Sequence, residues 1–458
     1  MKPNFVVLIL DCTRADHLSC YGYERETSPF LDSLAARGTR FANMVSAAPW
    51  TLPSHGALFT GTYSAAHGAT DEHRYLRTDL LTLPEVLKGA GYATGAFCCN
   101  PWVSPETGFD RGIDHFYTGR PSHAAARPVM IAKKAIDVLL RRRDSGSFHT
   151  NRAFGSWVAR TPADQPFFAF VHYNETHLHF HPPKKYREMF AEAGDTAARI
   201  SRLNQDCNAY IAGAVDMTDD DFRLLTALYD AELRYADWRV ERMAEELDRT
   251  GRLEDTVFVI TADHGENLGD HGMMSHKFCV YETLLRVPLV MAGPGVPQGA
   301  VCEAQVQNVD IMPTLAALAG TTIPATGQVE GRSLITDGVL GDGHDYVFAE
   351  RYRPNLGSFR QRFPDFDTTL VDVRKRSVSD GRWKFIWHSD GRHELYDLGG
   401  DPGEGRNVLA EHGDEAQRLE RILYDWLARV EHKGGGDGED AEFDEATRRQ
   451  LEGLGYID

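Results

Sequence analysis

The chain has 458 residues, 42% of them hydrophobic, ample for a large core, and a length that on its own suggests about three domains. Asp and Glu number 67 against 49 Lys and Arg, a formal net charge of −18, which sets the average surface against nucleic acid and anionic membranes. No apolar run approaches the ~20 residues that span a bilayer, residues 5–10 are too few for a signal-peptide core after Met1, Lys2 and Pro3, and the seven cysteines are scattered, so reduced thiols in a cytoplasmic protein are expected.

In chain order, residues 6–10 form a short apolar run, the pattern of a strand buried on both faces, and end in Asp11. Residues 27–41 predict an amphipathic helix with Leu31, Leu34 and Ala35 on one stripe. Residues 49–61 read as a loop feeding a short helix, with Pro53 in its first turn and Gly61 just past its end. Thr51 then lies beside a helix N-terminus, where free N–H groups and the dipole attract an anion. A second helix is expected at 83–91, a buried strand at 92–98 followed by Asn100, and a helical insertion at 121–160. That insertion carries an amphipathic run at 131–140 and then Arg141, Arg142 and Arg143, either a solvated helix end or a basic lip that guides an anion.

Residues 167–171 predict a further strand, followed by His177, with His172, His179 and His181 close by. Alternation would place His177, His179 and His181 on one side if the segment were extended. Residues 185–250 are mostly helical, and 222–247 keep the 3.6-residue period. The apolar run at 257–262 ends in Asp263 and His264. Another buried strand is expected at 287–291 and a helix at 311–318. A smaller domain begins near 330–345; its signals are a hairpin formed by 383–387 and 394–397 and a helix at 410–430. Residues 433–440 read as a flexible linker and 446–456 as a short docking helix. The expected organisation is a catalytic α/β domain over 1–335, a smaller α+β subdomain over 336–432 and a terminal segment over 433–458.

Two strands that each end in an acidic residue present Asp11 and Asp263 at one sheet edge, because ligands of open α/β sheets bind beyond the carboxyl ends of strands. An Asp at a strand end is more often a cap or turn residue than a ligand. The combination with His264 and the Thr51 oxygen is more specific, a mixed O/N set suited to one Zn²⁺, Mn²⁺ or Ca²⁺ ion.

These residues resemble members of the sulfatase family within the alkaline phosphatase superfamily. Residues 4–23 resemble the opening strand and metal-binding turn, and Thr51 to His55 resemble the Cys-x-Pro-Ser-Arg nucleophile signature, followed by the usual Ala57 to Gly61. Residues 167–183 resemble the segment that supplies an active-site histidine. The order continues through 229–237, 263–266, 269–272, Tyr281 with Glu282, 286–289 and 381–402, so the match covers nearly the whole chain. The resemblance implies a sandwich with a large mixed, mostly parallel sheet flanked by helices, plus a smaller C-terminal antiparallel sheet.

Three departures bear on the chemistry. Thr51 stands where a sulfatase has the cysteine that becomes formylglycine, a modification threonine cannot take. Cys12 replaces a second metal-binding aspartate of many sulfatases, and His55 replaces the signature arginine. The set Asp11, Thr51, Asp263 and His264 is closer to phosphonate monoester hydrolases and to threonine-dependent phosphotransferases of the same superfamily. The resemblance therefore implies a metal-dependent hydrolase of phosphate mono- or diesters that works through a covalent threonine. The alternatives are a sulfuric ester hydrolase, a phosphotransferase, or a non-catalytic homologue that binds an anion.

By motif position, His177 is the candidate proton donor to the leaving group. Lys277 is the candidate cation over the transferring group, with His276 close behind, since the count from one flanking motif falls on each. His55 and Asn100 are candidate substrate-binding residues; His55 is alternatively a partner of Thr51, and Asn100 the start of a turn. Glu266 is read as support for the metal histidine, His67 and His271 as loop braces, and Arg14 with Asp16 as a structural pair. The expected partner is a small anionic ester; the sequence leaves homo-oligomer formation open.

Overall fold

Runs of β-branched and aromatic residues at Asn4–Leu10, Phe167–Tyr173 and Thr256–Thr261 have no polar alternation, and every residue in them is buried. That is the signature of central strands covered on both faces. In the computed structural model, which describes residues 2–119, 144–325 and 327–431, they form the middle of an eight-stranded sheet. In chain order its first six strands are β1 (Asn4–Leu10), β2 (Thr39–Val45), β3 (Ala93–Phe97), β4 (His115–Tyr117), β5 (Phe167–Tyr173) and β6 (Thr256–Thr261). The spatial order is Ala300–Gln307, β2, Leu289–Ala292, β6, β1, β5, β3, β4. Leu289–Ala292 pairs antiparallel with both neighbours and the other pairings are parallel, giving a mixed, mostly parallel sheet.

Side chains alternate across the sheet. Phe5, Val7, Ile9, Phe168, Phe170, Val257 and Val259 point to one side, where they meet Leu52, Leu58, Leu83, Leu87, Ile311 and Leu315 from three helices. Val6, Leu8, Leu10, Ala169, Val171, Phe258 and Ile260 point to the other, against Phe154, Leu228, Leu233, Val240 and Met243. The second layer is dominated by the helix Asp219–Arg249, started by a capping box between Thr218 and Asp221. That helix also fixes the turn after β1: the Tyr229 hydroxyl donates to the Cys12 carbonyl at 2.8 Å and accepts the Arg14 amide at 2.9 Å.

The helix expected over 27–41 is shorter. It covers Pro29–Arg37 (α1), and residues 39–41 belong to β2. Gly38 breaks the pattern: a Cβ there would sit 2.1 Å from the Met291 carbonyl oxygen, so only glycine lets the backbone cross the neighbouring strand so closely. Within 185–250 the long helix is preceded by short pieces, Lys184–Phe190, Ala197–Ile200 and Cys207–Ile211, because polar and glycine-containing stretches interrupt the periodicity. Of the expected insertion, the helix Ser147–Val158 is described; the run at 131–140 and Arg141 to Arg143 lie outside the described residues, as do 433–458.

A second, four-stranded antiparallel sheet follows, ordered Val347–Arg351, Lys375–Ser379, Trp383–His388, Glu394–Asp397. The helix Gly413–Glu431 lays Leu419, Leu423, Trp426 and Val430 against Phe348, Val378 and Phe385, with the Phe348 and Trp426 rings stacked 4.4 Å apart.

Candidate active site

The adjacent strands β6, β1, β5 and β3 run parallel and so end along one edge of the sheet. Asp11 follows β1, Asp263 and His264 follow β6, His172 and His177 come from the end of β5, and Asn100 follows β3. Thr51 is the first residue of the helix Thr51–Thr60 (α2), all ten residues of which are buried. Gly61 ends that helix with φ of 68°, the left-handed C-terminal cap that glycine tolerates.

These pieces converge. Thr51 Oγ1 lies 3.4 Å from His264 Nε2, and that nitrogen is 3.4 Å from Asp263 Oδ2 and 3.8 Å from Asp11 Oδ1. One ligand atom from each of Asp11, Asp263 and His264 falls within 4.8 Å of the others. The His264 Nδ1–H donates to the Gly265 carbonyl at 2.9 Å, which leaves Nε2 with its lone pair turned to the carboxylates. Asp263 Oδ1 accepts the backbone amides of Cys12 at 3.2 Å and His264 at 3.0 Å, while its buried Oδ2 has no hydrogen-bond partner among the described residues. Two buried carboxylates, an imidazole lone pair and an orphaned oxygen fit a divalent cation.

Electrostatics agree with that fit. Burial, then the neighbouring Asp263 carboxylate, pushes Asp11 well above the usual carboxylate range. Burial also acts upward on Asp263, but the imidazoles of His264, His55 and His172 hold it below its ordinary value. Cys12 adds no charge: burial and the nearby carboxylates push its thiol up, and Sγ donates to Asp11 Oδ1 at 3.2 Å. Asn100 also serves Asp11, donating from Nδ2 to Oδ2 at 3.1 Å while its Oδ1 accepts the Trp102 amide at 3.0 Å. Asn100 thus makes the expected turn and spends its amide on Asp11.

The other candidates separate. His55 is 1% exposed, and its Nδ1–H donates to the Thr51 carbonyl at 2.8 Å. His177 is buried, with Nδ1–H donating to the Leu178 carbonyl at 2.5 Å, and burial lowers it to about 4. His179 and His181 are exposed; the segment after β5 is an irregular loop rather than an extended strand, so the alternation argument fails. His276 is buried, its ring 4.4 Å from that of His264 and 5.0 Å from that of His177. Lys277 is half-buried and donates to Asn208 Oδ1 at 3.1 Å. It borders a cleft shared with Trp50, Arg74, Trp102, His276 and Arg351. Glu266 lies 3.7 Å from His276 Nδ1 and does not support His264, whose Nδ1 is taken by Gly265. Arg14 pairs with Asp16 at 2.8 Å and also with Asp270 at 2.7 Å. His271 stacks on Tyr281 with ring centroids 3.9 Å apart, and His67 packs under Gly56, where a Cβ would lie 2.6 Å from its ring.

Some supporting residues have no signature in the chain. Ser46 and Ser54 both donate to the Asp263 carbonyl, at 2.5 and 2.7 Å, and Asn308 Nδ2 donates to the Ser54 carbonyl at 3.0 Å. They fasten the end of β6 to the start of α2. Ser54 lies in the nucleophile segment and could have been singled out; Ser46, Asn308, Arg74 and Arg351 are brought in by the tertiary fold alone.

The profile of the family described as Sulfatase matches residues 3–321, and that described as N-sulphoglucosamine sulphohydrolase, C-terminal, matches residues 269–433. The chain is 27% identical to an arylsulfatase of Clostridium perfringens (strain 13 / Type A), over 92% of this chain and 94% of the relative. It is 24% identical to the uncharacterized sulfatase YidJ of Escherichia coli (strain K12), over 94% and 88%. Among solved structures, the phosphonate monoester hydrolase of Agrobacterium radiobacter superposes with a TM-score of 0.74 at 20% identity, covering 94% of this chain and 96% of its own.

Proposed function

The chain belongs to the sulfatase family, whose members hydrolyse sulfuric or phosphoric esters, and from that premise we propose that it cleaves phosphate mono- or diesters through a covalent threonine. The observation that carries this reading is the buried Thr51 hydroxyl at the start of α2, 3.4 Å from His264 Nε2, the nitrogen that faces the Asp11 and Asp263 carboxylates. Asp11, Asp263, His264 and the Thr51 oxygen would hold one divalent ion. When bound, the ion supplies positive charge that favours the alkoxide form of the threonine and offsets charge on the transferring group.

The chain's own residues do the rest. Thr51 Oγ1 attacks phosphorus in line with the leaving oxygen, the bond to that oxygen breaks, and a phosphothreonine forms. His177 gives the leaving oxygen its proton. Burial holds His177 low in the free protein, so an anionic ester beside it must raise its proton affinity before it serves as an acid. The amides at the start of α2 face the developing charge. Lys277, with Arg74 and Arg351, lines the entrance and draws in the anion, while His276 stands between the entrance and His264. Asn100 and His55 hold Asp11 and the Thr51 turn in place. Water then attacks phosphorus, the bond to Oγ1 breaks, and Thr51 recovers its proton.

Chemistry favours phosphorus over sulfur. A formylglycine hydrate expels sulfate by collapsing to an aldehyde; a threonine ester has no such exit and is cleared only by attack at the central atom. A sulfate ester remains the second reading because of the similarity to an arylsulfatase. The purified, metal-loaded protein should turn over an aryl phosphate or a phosphodiester faster than the matching aryl sulfate, and Thr51→Ala should lose that turnover. Faster sulfate cleavage, or full activity in Thr51→Ala, overturns the proposal. Dependence of the products on added alcohol would mark a transferase.

A further inference from the structure

The cleft beside the candidate centre does more than admit an anion. It offers about 670 Å³ of free space. Trp50, the residue before Thr51, lines it, and so does His276, whose ring is 4.4 Å from that of His264. An ester with its phosphorus at Thr51 therefore has this cleft for its organic part, an inference that rests on the proposed function because it takes Thr51 as the reacting residue.

Two apolar walls meet in the cleft. Trp50 and Trp102 are buried, with ring centroids 5.5 Å apart and planes nearly perpendicular at 89°, and they belong to the core that covers the central sheet. Phe278, Leu356 and Phe359 form a separate cluster, in which the two phenyl rings lie 6.0 Å apart. Aromatic side chains favour a further ring in offset or edge-on contact over an aliphatic chain of the same volume.

The same cleft is cationic. Arg74, Lys277 and Arg351 line it against a single carboxylate, Asp71, in a chain whose formal net charge is −18. Asp71 is committed, since it pairs with Arg351 and its Oδ2 accepts the Trp50 Nε1–H at 3.1 Å. Arg351 is 6% exposed, and its buried Nε has no hydrogen-bond partner among the described residues. Arg74 is half-buried and has no ion pair among the described residues; its guanidinium lies over the Trp102 ring, 5.5 Å from the centroid. A buried donor without an acceptor is costly, and a guanidinium laid on an aromatic face is oriented to take a planar anion through two N–H bonds. We propose that the cleft selects an aryl ester whose ring carries a second anionic group, a carboxylate or a phosphate. The ring packs against Trp50 and Trp102, and Arg74 and Arg351 hold the anion.

Phosphonic acids have no ester bond to cleave and so test binding apart from turnover. The metal-loaded protein is titrated by calorimetry with methylphosphonate, phenylphosphonate, 4-carboxyphenylphosphonate and 4-carbamoylphenylphosphonate. Phenylphosphonate should bind at least about tenfold tighter than methylphosphonate, and the carboxylate at least about tenfold tighter than the carbamoyl compound, its neutral isostere. Arg74→Gln should bring the second ratio close to one and leave the first in place; if that variant does not fold, the wild-type ratios decide. Equal binding of the two substituted rings, or a preference that survives Arg74→Gln, overturns the anionic subsite, and equal binding of the methyl and phenyl compounds overturns the aromatic one. Those results leave the reaction at Thr51 untouched, whereas failure of all four to bind overturns both readings.

Discussion

Replacing Asp11 by Asn should raise the melting temperature of the ion-free protein and remove most of the rise that the ion brings. Asp11 and Asp263 are buried, with ligand atoms within 4.8 Å of each other. At an effective dielectric of about 20, two unit charges at that spacing repel by roughly 3 kcal/mol. That is a ceiling, since Asp11 is pushed up by burial and by Asp263 and can take a proton instead. An unfolding entropy of about 2 cal/mol/K per residue gives roughly 1 kcal/mol/K for a chain of this length. Asp11→Asn should therefore raise the ion-free melting temperature by up to about 3 °C. An ion present at 100 times its dissociation constant adds about 2.7 kcal/mol to the wild type, again about 3 °C, and the variant should forfeit most of that gain. Calorimetric scans in chelator and in saturating Zn²⁺ or Mn²⁺ should show the variant's lead of up to about 3 °C shrinking to about zero. A variant that melts below wild type in chelator and keeps the full metal-dependent rise would refute the assignment of Asp11 as a ligand.

Thr51→Ser keeps the hydroxyl and removes one buried methyl, so turnover should stay within about tenfold at a stability loss of about 1 kcal/mol; Thr51→Ala should lower kcat by at least about a thousandfold, read from initial rates on an aryl phosphate. Lys277→Ala should raise KM several-fold with kcat changed less, because it acts at the entrance; an equal fall in kcat with unchanged KM would place it over the reacting group instead. Gly56→Ala should destabilise by about 2 kcal/mol, since a Cβ would lie 2.6 Å from the buried His67 ring, and denaturant melts measure it. Glu394 is held down at about 2 from 4.5, against the upward pull of burial, by His388 at 2.9 Å and by the Tyr396 hydroxyl. A depressed carboxylate contributes stability above its unfolded value and loses it as pH falls, so Glu394 should supply about 3 kcal/mol at neutral pH that disappears between pH 4.5 and 2. Glu394→Gln should flatten that part of the stability profile, and an unchanged acid limb would count against the ion pair.

The sheet edge that carries the candidate site was legible in the sequence because its signal is local. An unbroken apolar strand that ends in an acidic residue is visible at Asp11 and Asp263, and Pro53 and Gly61 bracket a helix whose first residue is Thr51. The parallel sheet follows from the same runs. What stayed hidden depends on contacts between distant segments. Nothing near Gly38 announces that its Cα must pass the Met291 carbonyl, so residues 39–41 read as helix although they are strand. Nothing near His172 shows that it faces His55, because one belongs to a strand and the other to a helix more than a hundred positions away. The rivalry of His276 and Lys277 could not be resolved by counting between motifs; both border one cleft, His276 buried beside the His264 ring and Lys277 half-buried. The described geometry also parts His177 from His179 and His181, which a period-two reading groups together.

The most direct measurement is acid quenching of the metal-loaded protein during turnover of an aryl phosphate, followed by mass spectrometry of the peptide that contains residue 51. A phosphoryl group should appear on Thr51 in step with the burst of released alcohol and be absent from Thr51→Ala. Steady turnover with Thr51 unmodified at every quench time, or a phosphoryl group on another side chain, would contradict it.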